Sequence, residues 1–307
     1  MGSAKQRRTL TKKKRILFAS LLLIGMCGVL IAIHLWRYAP VEPKTLSELL
    51  DLPEEKLARV NIARMNLLCA TGLPNSENIK LDEYLQTLDR WAEVVKKAEE
   101  KYLPTFYRNP AKYENSLSKF KAIMLVLSIK EDLKCGYNME LVRSGAMQDW
   151  KSTRFFKDSR DLFLHGLIER QKGTCASLPF LVVALGRQCG YPLYLASSKG
   201  HLFCRWQDQQ ETFNIETAIR GVDIFPDSHY LTYPNPFTEA ERIDENYLKT
   251  HTPIEELSLL MSTRALCFKA NGLYQQAVEA YEISLRGFPN SKLTQAYIND
   301  AKRRVLK

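Results

Sequence analysis

The sequence predicts an α+β fold with one N-terminal transmembrane helix, a helical subdomain, a mixed core of helices and strands, and a helical tail. Three observations predict it. An uncharged apolar run fills residues 16–36, apolar residues recur every three to four positions over much of 46–157 and 251–307, and short strand patterns follow an apolar helix within 158–250. Of the 307 residues, 45% are hydrophobic and 25% charged, which is typical of a packed globular protein and excludes a disordered or collagen-like chain.

The first 45 residues predict a cytoplasmic tail, a membrane anchor and a linker. Residues 1–15 carry seven Lys or Arg and no acid, and Arg37 follows the apolar run. At about 1.5 Å per residue, 16–36 gives roughly 31 Å of helix, the thickness of one bilayer core. The charge bias places the N-terminus in the cytoplasm and the body of the protein outside, in the periplasm, after a proline-containing linker at 37–45. A cleaved signal peptide is the alternative, although this run is longer than a usual signal core.

The formal charge of +10 is concentrated in the tail and does not indicate nucleic-acid binding. With the eight basic residues before position 38 set aside, the 44 basic residues of the chain become 36, against 34 acidic ones. The body of the protein is therefore nearly neutral, and no nucleic acid is expected among its partners.

Residues 46–157 predict a helical subdomain without evident chemistry. Apolar spacing supports helices over 47–70, 81–106 and 117–133, with an interruption of the first at Pro53.

Residues 158–250 carry the candidate nucleophile. Gly173 and Thr174 precede an apolar helix predicted over 175–187, so that Cys175 stands in its first turn. Unpaired backbone amides and the helix dipole favour an anion at that end, which promotes conversion of a thiol to a thiolate.

A general base and a group to orient it are expected on the strands that follow. Three strand patterns are present, at 193–197, 201–207 and 211–216. If the last two form an antiparallel hairpin that turns between Asp208 and Gln209, His201 lies directly opposite Glu216 on the same face, with β-carbons about 5 Å apart. His201 is then the candidate base and Glu216 its orienting carboxylate. A one-residue change in the loop would place them on opposite faces.

Other polar side chains stay open as site candidates. They are His165, Gln171, Asp223, Asp227 and His229. Of these, the amide of Gln171 is the candidate for an oxyanion site. The cysteines show neither CxxC nor metal-ligand spacing, so no metal and no cofactor is expected.

The pieces GTCASLP, GHLFCRW and FNIE resemble the bacterial transglutaminase-like superfamily over roughly 158–233. The core of that family is papain-like, and its triad runs Cys, His, Asp along the chain. By this resemblance Cys175 is the nucleophile, His201 the general base and acid, and Glu216 the orienting carboxylate, with Glu in place of the commoner Asp. Members include peptidases, amide-transferring enzymes and proteins without demonstrated activity.

The tail, 251–307, has the spacing of a tetratricopeptide unit in the 34-residue window 258–291. Seven positions agree: Met261, Ala265, Phe268, Gly272, Ala277, Tyr281 and Pro289. The pattern predicts a helical hairpin that docks on neighbouring helices. The chain is similar here to bacterial proteins that join the transglutaminase-like core to such repeats. Whether the hairpin only closes the fold or also binds a protein partner stays open.

The sequence thus predicts a membrane-anchored cysteine enzyme that acts on protein or peptide amides by acyl transfer. In this mechanism the Cys175 thiolate attacks the amide carbonyl, His201 protonates the leaving amine, and water, in preference to an amine, releases the thioester. The alternative is an inactive transglutaminase-like and tetratricopeptide-type scaffold that binds a protein partner at the membrane surface.

The charge bias around 16–36 predicts the side of the membrane on which the body lies. A reporter that is active only outside the cytoplasm, fused after Lys307, is expected to be active in bacterial cells, because positively charged flanks stay inside. A cytoplasm-only fluorescent reporter at the same point is expected to be dark. The opposite pair of readings would invert the topology.

Overall fold

The computed structural model describes three stretches of the chain, 39–144, 154–217 and 222–306. The chain divides into two units, Met1–Val41 and Glu42–Lys307, and the features below belong to the second. The predicted anchor at 16–36 lies outside the described residues. Within the described stretches, no helix combines the length and the apolar character needed to cross a membrane.

Helices form most of the first half of the larger unit. They are α1 (Leu46–Leu50), α2 (Glu54–Leu57), α3 (Ile62–Ala70), α4 (Leu81–Arg108) and α5 (Leu117–Leu127). The predicted interruption at Pro53 is confirmed, because α1 ends before it and α2 begins after it. The helix predicted over 117–133 is also confirmed, with its last turn, Ser128–Asp132, wound as a π-helix. Asn61 and Ser116 cap α3 and α5 by accepting backbone N–H groups, which satisfies donors that a helix start leaves unpaired.

In the described residues the strands form a four-stranded sheet and a short pair. The sheet is antiparallel in the order β3 (Leu193–Ser198), β4 (His201–Gln207), β5 (Thr212–Glu216) and β6 (Asp223–Phe225). The pair is parallel and consists of β1 (Gly136–Tyr137) and β2 (Lys172–Gly173). The three predicted strands are therefore confirmed, and β1, β2 and β6 are additional.

The predicted register of β4 and β5 is wrong by two residues. Gln207 pairs with Thr212, because the loop between the strands holds four residues and not two. The carboxylate of Asp208 fixes this longer loop by accepting the backbone N–H groups of Gln210 and Glu211 at 2.7 and 2.8 Å. An aspartate that accepts backbone N–H groups a few residues further on is typical of such turns.

The correction leaves the two predicted site residues on one face. Continuing the observed register places Glu216 opposite Phe203, two residues along the strand from His201. A shift of two positions preserves the side to which a side chain points, whereas a shift of one reverses it. Glu216 is therefore a diagonal neighbour of His201 and not its direct partner.

Helix α9 (Leu178–Gln188) lies at the centre of the packing. Its residues 178–186 are all buried, and it contacts α3, α4 and α5 as well as β3 and β4. Shorter helices connect the remaining parts: α6 (Met139–Arg143), α7 (Ser159–Leu162), α8 (Leu164–Arg170), α10 (Asp227–Tyr230) and α11 (Glu239–Asp244).

The tail is a helical hairpin followed by one more helix. The elements are α12 (Pro253–Ala270), α13 (Tyr274–Ser284) and α14 (Lys292–Val305). Ala277 and Tyr281 are fully buried, as the predicted hairpin requires, and α13 packs on both α12 and α14. Arg187 of α9 donates to both carboxylate oxygens of Glu256 on α12, at 3.1 and 2.6 Å, which ties the tail to the central helix. The hairpin is confirmed, while its tetratricopeptide identity stays a prediction.

Helices α7 and α8 approach each other closely at Gly166. A β-carbon at this position would lie 1.7 Å from the carbonyl oxygen of Arg160. The obstructing atom belongs to the backbone, so no side chain can move aside to make room.

The close approach predicts that Gly166→Ala destabilises the fold. We expect the free energy of unfolding to fall by about 3 kcal/mol or more, as unrelieved overpacking does. Gly136→Ala is the matched control, because a β-carbon there meets nothing within 4 Å. Urea denaturation of the full chain in detergent, followed by tryptophan fluorescence, measures both. Equal midpoints for the two variants would contradict the packing described.

Candidate active site

Cys175 lies in a turn immediately ahead of helix α9. The prediction that it stands in the first turn of that helix is wrong in detail, because the helix begins three residues later, at Leu178. Two hydrogen bonds from backbone N–H groups to side-chain hydroxyls stabilise the turn. The Thr174 N–H donates to Ser177 Oγ at 3.0 Å, and the Ala176 N–H donates to Thr174 Oγ1 at 3.1 Å. The thiol nevertheless stays at the N-terminal end of α9.

Asp161 fastens this turn to the rest of the protein. Its backbone carbonyl accepts the hydroxyls of Thr174 and Ser177 at 2.8 and 3.0 Å. Its buried carboxylate accepts Asn138 Nδ2 at 2.8 Å and Arg170 Nη2 at 3.0 Å. One residue of α7 thus holds both the cysteine turn and the end of strand β1.

Glu216 holds the imidazole of His201 from the far side. The His201 Nε2 and Glu216 Oε2 atoms are 2.8 Å apart, and both side chains are buried. The Thr217 N–H donates to Glu216 Oε1 at 2.9 Å, and the Tyr230 hydroxyl donates to Oε2 at 3.3 Å. Both carboxylate oxygens are therefore engaged, which fixes the carboxylate and, through it, the ring.

The Cys175 thiol also interacts with the His201 ring, by hydrogen bonding and by charge, and this interaction raises the pKa of the ring. Because Glu216 holds Nε2, Nδ1 is the ring nitrogen that remains to face the sulfur. Burial by itself lowers the pKa of His201, but the hydrogen bonds to Cys175 and Glu216, together with their negative charges, outweigh it and raise the pKa to about 10. The ring is then an imidazolium at neutral pH. The structure thus brings the three predicted site residues into one line of contacts.

Tyr137, which the sequence analysis does not identify, contacts the same cysteine. Its hydroxyl accepts the Cys175 N–H at 3.4 Å and also interacts with the thiol. Burial first, and then the negative charge of Cys175, raise the pKa of Tyr137, so its hydroxyl keeps its proton. The residue reaches the site because β1 pairs with β2, which places Tyr137 beside Gly173.

Aromatic side chains surround the imidazole. Phe203 and Tyr230 stack on each other with ring centroids 3.8 Å apart, and both lie beside the His201 ring. Tyr233 meets the His201 ring edge-on at 5.4 Å and is 39% exposed. Apolar surroundings strengthen the charge interactions of the ring with its two partners.

His165 and Gln171 lie apart from this line of contacts. His165 is fully buried, its Nε2 is 3.1 Å from Ser159 Oγ, and burial lowers its pKa to about 4. Gln171 ends helix α8 in a left-handed conformation, and its side chain is exposed.

The candidates after Glu216 have other partners. Asp227 pairs with Arg205 and also accepts Asn214 Nδ2 at 2.7 Å. His229 stacks on Phe225 at 3.9 Å. Asp223 lies opposite Glu216 in the backbone register of β5 and β6, and its side chain is exposed.

The other cysteines of the described stretches differ from Cys175 in their surroundings. All are free thiols, and among them only Cys189 shares the partial exposure of Cys175. Burial raises the pKa of Cys69, Cys135 and Cys267 to about 12, and that of Cys189 to about 11. Within the same stretches, no group of three or more His, Cys, Asp or Glu could hold a metal ion.

Comparison with known proteins identifies a family. A family model described as the transglutaminase-like superfamily matches residues 82–258, more than half of the chain. The matched range contains Cys175, His201 and Glu216, and also Tyr137. No curated protein and no solved structure matches the chain significantly.

Two of the buried histidines, His201 and His165, are expected to titrate at opposite ends of the pH range. His201 should stay protonated at pH 8 and lose its proton as the pH rises through about 10, whereas His165 should stay neutral down to about pH 4. NMR of the imidazole resonances in the full chain, in detergent micelles, measures both. Glu216→Gln should move the His201 midpoint to lower pH, because it removes the negative charge that favours the imidazolium.

The raised pKa of His201 also determines how the stability of the fold depends on pH. Because the pKa of His201 is raised on folding, its stabilising contribution is complete below the unfolded value of about 6.5 and is lost as the pH rises through about 10. If His201 titrated near pH 6.5 in both the wild type and the Glu216→Gln variant, the hydrogen bond between His201 and Glu216 would be contradicted.

Proposed function

The chain belongs to the transglutaminase-like superfamily, and we propose that it is a cysteine enzyme that acts on protein or peptide amides by thiol acyl transfer. The observation that carries the proposal is the line of contacts from Cys175 through His201 to Glu216. A nucleophile, a base in hydrogen-bond contact with it and a group that orients the base are the parts that such chemistry needs.

The proposed reaction has two halves. In the first, the proton of the thiol resides on His201, the Cys175 sulfur attacks the amide carbonyl, and the resulting oxyanion collapses as His201 gives its proton to the leaving amine. In the second, the neutral ring takes a proton from water as the water oxygen attacks the thioester. Release of the carboxylic acid returns the proton to the Cys175 and His201 pair.

Glu216 serves this cycle by stabilising the imidazolium. The carboxylate lies within 2.8 Å of His201 Nε2, which fixes the tautomer in which Nδ1 faces the sulfur. Diagonal neighbours on adjacent strands are about 7 to 8 Å apart, against about 5 Å for direct partners. The extra methylene of Glu, compared with Asp, suits this longer span and supports Glu216 in the orienting role.

We propose hydrolysis in preference to cross-linking, since water is always available as the acyl acceptor.

The basic tail and the apolar run at 16–36 support a single-pass anchor with the body outside the cytoplasm. The tetratricopeptide-type spacing of the tail supports a protein partner at the hairpin, since stacked repeats of this kind form binding surfaces. A scaffold without catalysis is the rival function, and the reactivity of Cys175 separates the two.

The enzyme is expected to show one cysteine that is alkylated quickly at pH 6. Cys175, in contact with an imidazolium, should react with iodoacetamide faster than Cys189, which is also partly exposed but whose pKa is raised to about 11 by burial. His201→Ala should slow the labelling of Cys175, and Glu216→Gln should slow it less. Mass spectrometry gives the rate at each cysteine from pH 5 to 9.

Cys189 serves as the internal control in every sample of this experiment. Labelling of Cys175 no faster than Cys189, and insensitive to His201, would favour the scaffold over the enzyme.

A further inference from the structure

Attack by the Cys175 sulfur moves negative charge onto the carbonyl oxygen of the substrate, and that oxygen needs hydrogen-bond donors. The backbone N–H of Cys175 is one donor within reach. The sequence candidate for a second donor, Gln171, has an exposed side chain at the end of α8. The other possible donors are the groups that contact Cys175 itself.

The hydroxyl of Tyr137 contacts Cys175 in two ways. It accepts the Cys175 N–H at 3.4 Å, and its interaction with the thiol contributes to the raised pKa of the phenol. A phenol that accepts from the amide has one proton left to donate, and the sulfur is the partner for it. In the resting protein the hydroxyl thus lies between the reacting sulfur and the amide that would receive the oxyanion.

We propose that Tyr137 is a catalytic residue whose hydroxyl donates to the oxyanion. The inference rests on the proposed thiol acyl transfer. As the C–S bond forms, the sulfur loses its negative charge, the carbonyl π electrons move to the oxygen, and the Tyr137 O–H turns from the sulfur to that oxygen. The oxygen accepts the Cys175 N–H at the same time. No proton leaves the phenol, and collapse of the intermediate restores the carbonyl.

The long contact between Tyr137 and the amide suits such an exchange. At 3.4 Å it exceeds the usual range of about 2.7 to 3.2 Å, so little is lost when the substrate oxygen takes the place of the phenol at the amide. Contacts of this kind are often long before substrate binds and tighten in the reacting complex.

The fold keeps the phenol in place without the substrate. Strand β1 pairs with β2, and the Asn138 N–H donates to Gly173 O at 2.7 Å. The side chain of Asn138 in turn donates to Asp161, whose carbonyl holds the turn around Cys175. Tyr137 and Cys175 are thus fixed to the same buried residue, as a preorganised donor requires.

Two reagents that attack the same thiol test the proposal without knowledge of the natural substrate. Iodoacetamide alkylates sulfur by displacing iodide and forms no oxyanion, whereas p-nitrophenyl acetate acylates sulfur through a tetrahedral oxyanion. In the full chain, Tyr137→Phe is expected to lower the rate of Cys175 acylation by about 100-fold, as loss of one such donor does, and to leave its alkylation rate little changed. Tyr107→Phe, at a 67% exposed site on α4, is the matched control and should change neither rate.

A second variant distinguishes the loss of a hydrogen-bond donor from the loss of the folded structure. p-Aminophenylalanine in place of Tyr137 keeps an N–H donor on the ring and is expected to recover most of the acylation rate, while circular dichroism compares the folding of all variants. Equal losses with both reagents in a folded Tyr137→Phe protein would reduce Tyr137 to a packing role, and no loss with either would overturn the proposal. A wild-type Cys175 that is slow with both reagents would instead overturn the proposed enzyme, and the oxyanion role with it.

Discussion

The site depends on the interactions of Cys175 and Glu216 with the buried positive charge of His201. A charged ring that is removed from water is costly unless partners compensate, and here Cys175 faces one nitrogen while Glu216 faces the other. Glu216 is itself buried and holds its charge through the N–H of Thr217 and the hydroxyl of Tyr230. Loss of either neighbour of the ring therefore leaves a charge without its counterpart, and the parts of the site are strongly interdependent.

His201 and Glu216 can be predicted from the sequence because side chains alternate between the two faces of a strand. An error of two residues in the predicted register therefore leaves them on the same face. The predicted hairpin turn was too short, since a carboxylate-stabilised loop at Asp208 is hard to distinguish from a two-residue turn. The register moved by two, and His201 and Glu216 stayed on the same face. The helix periodicity of α4 is equally readable, because the helix buries one stripe that includes Leu88, Ala92 and Val95.

The rest of the site was not readable from the sequence. Strands β1 and β2 hold two residues each, too few to show a period, and Tyr137 lies 38 residues before Cys175. The hydroxyl bonds from Thr174 and Ser177 to Asp161 explain why α9 starts after the cysteine, yet they join residues that no local pattern relates. These contacts depend on which segments meet in space, so they follow from the tertiary structure and not from local spacing.

The bond between Arg187 and Glu256 has a consequence for how the protein can be divided. Glu256 is 2% exposed and has both oxygens on the guanidinium, so a chain that ended before α12 would lose the carboxylate and leave Arg187 unpaired at the end of the central helix. The Arg187 side chain is 33% exposed, so water would solvate part of the guanidinium, and the cost would be smaller than the roughly 3 to 5 kcal/mol of a fully buried pair. A fragment that ends before α12 is therefore expected to be less stable than one that keeps Glu256, and α12 contributes to the core as well as to the tail.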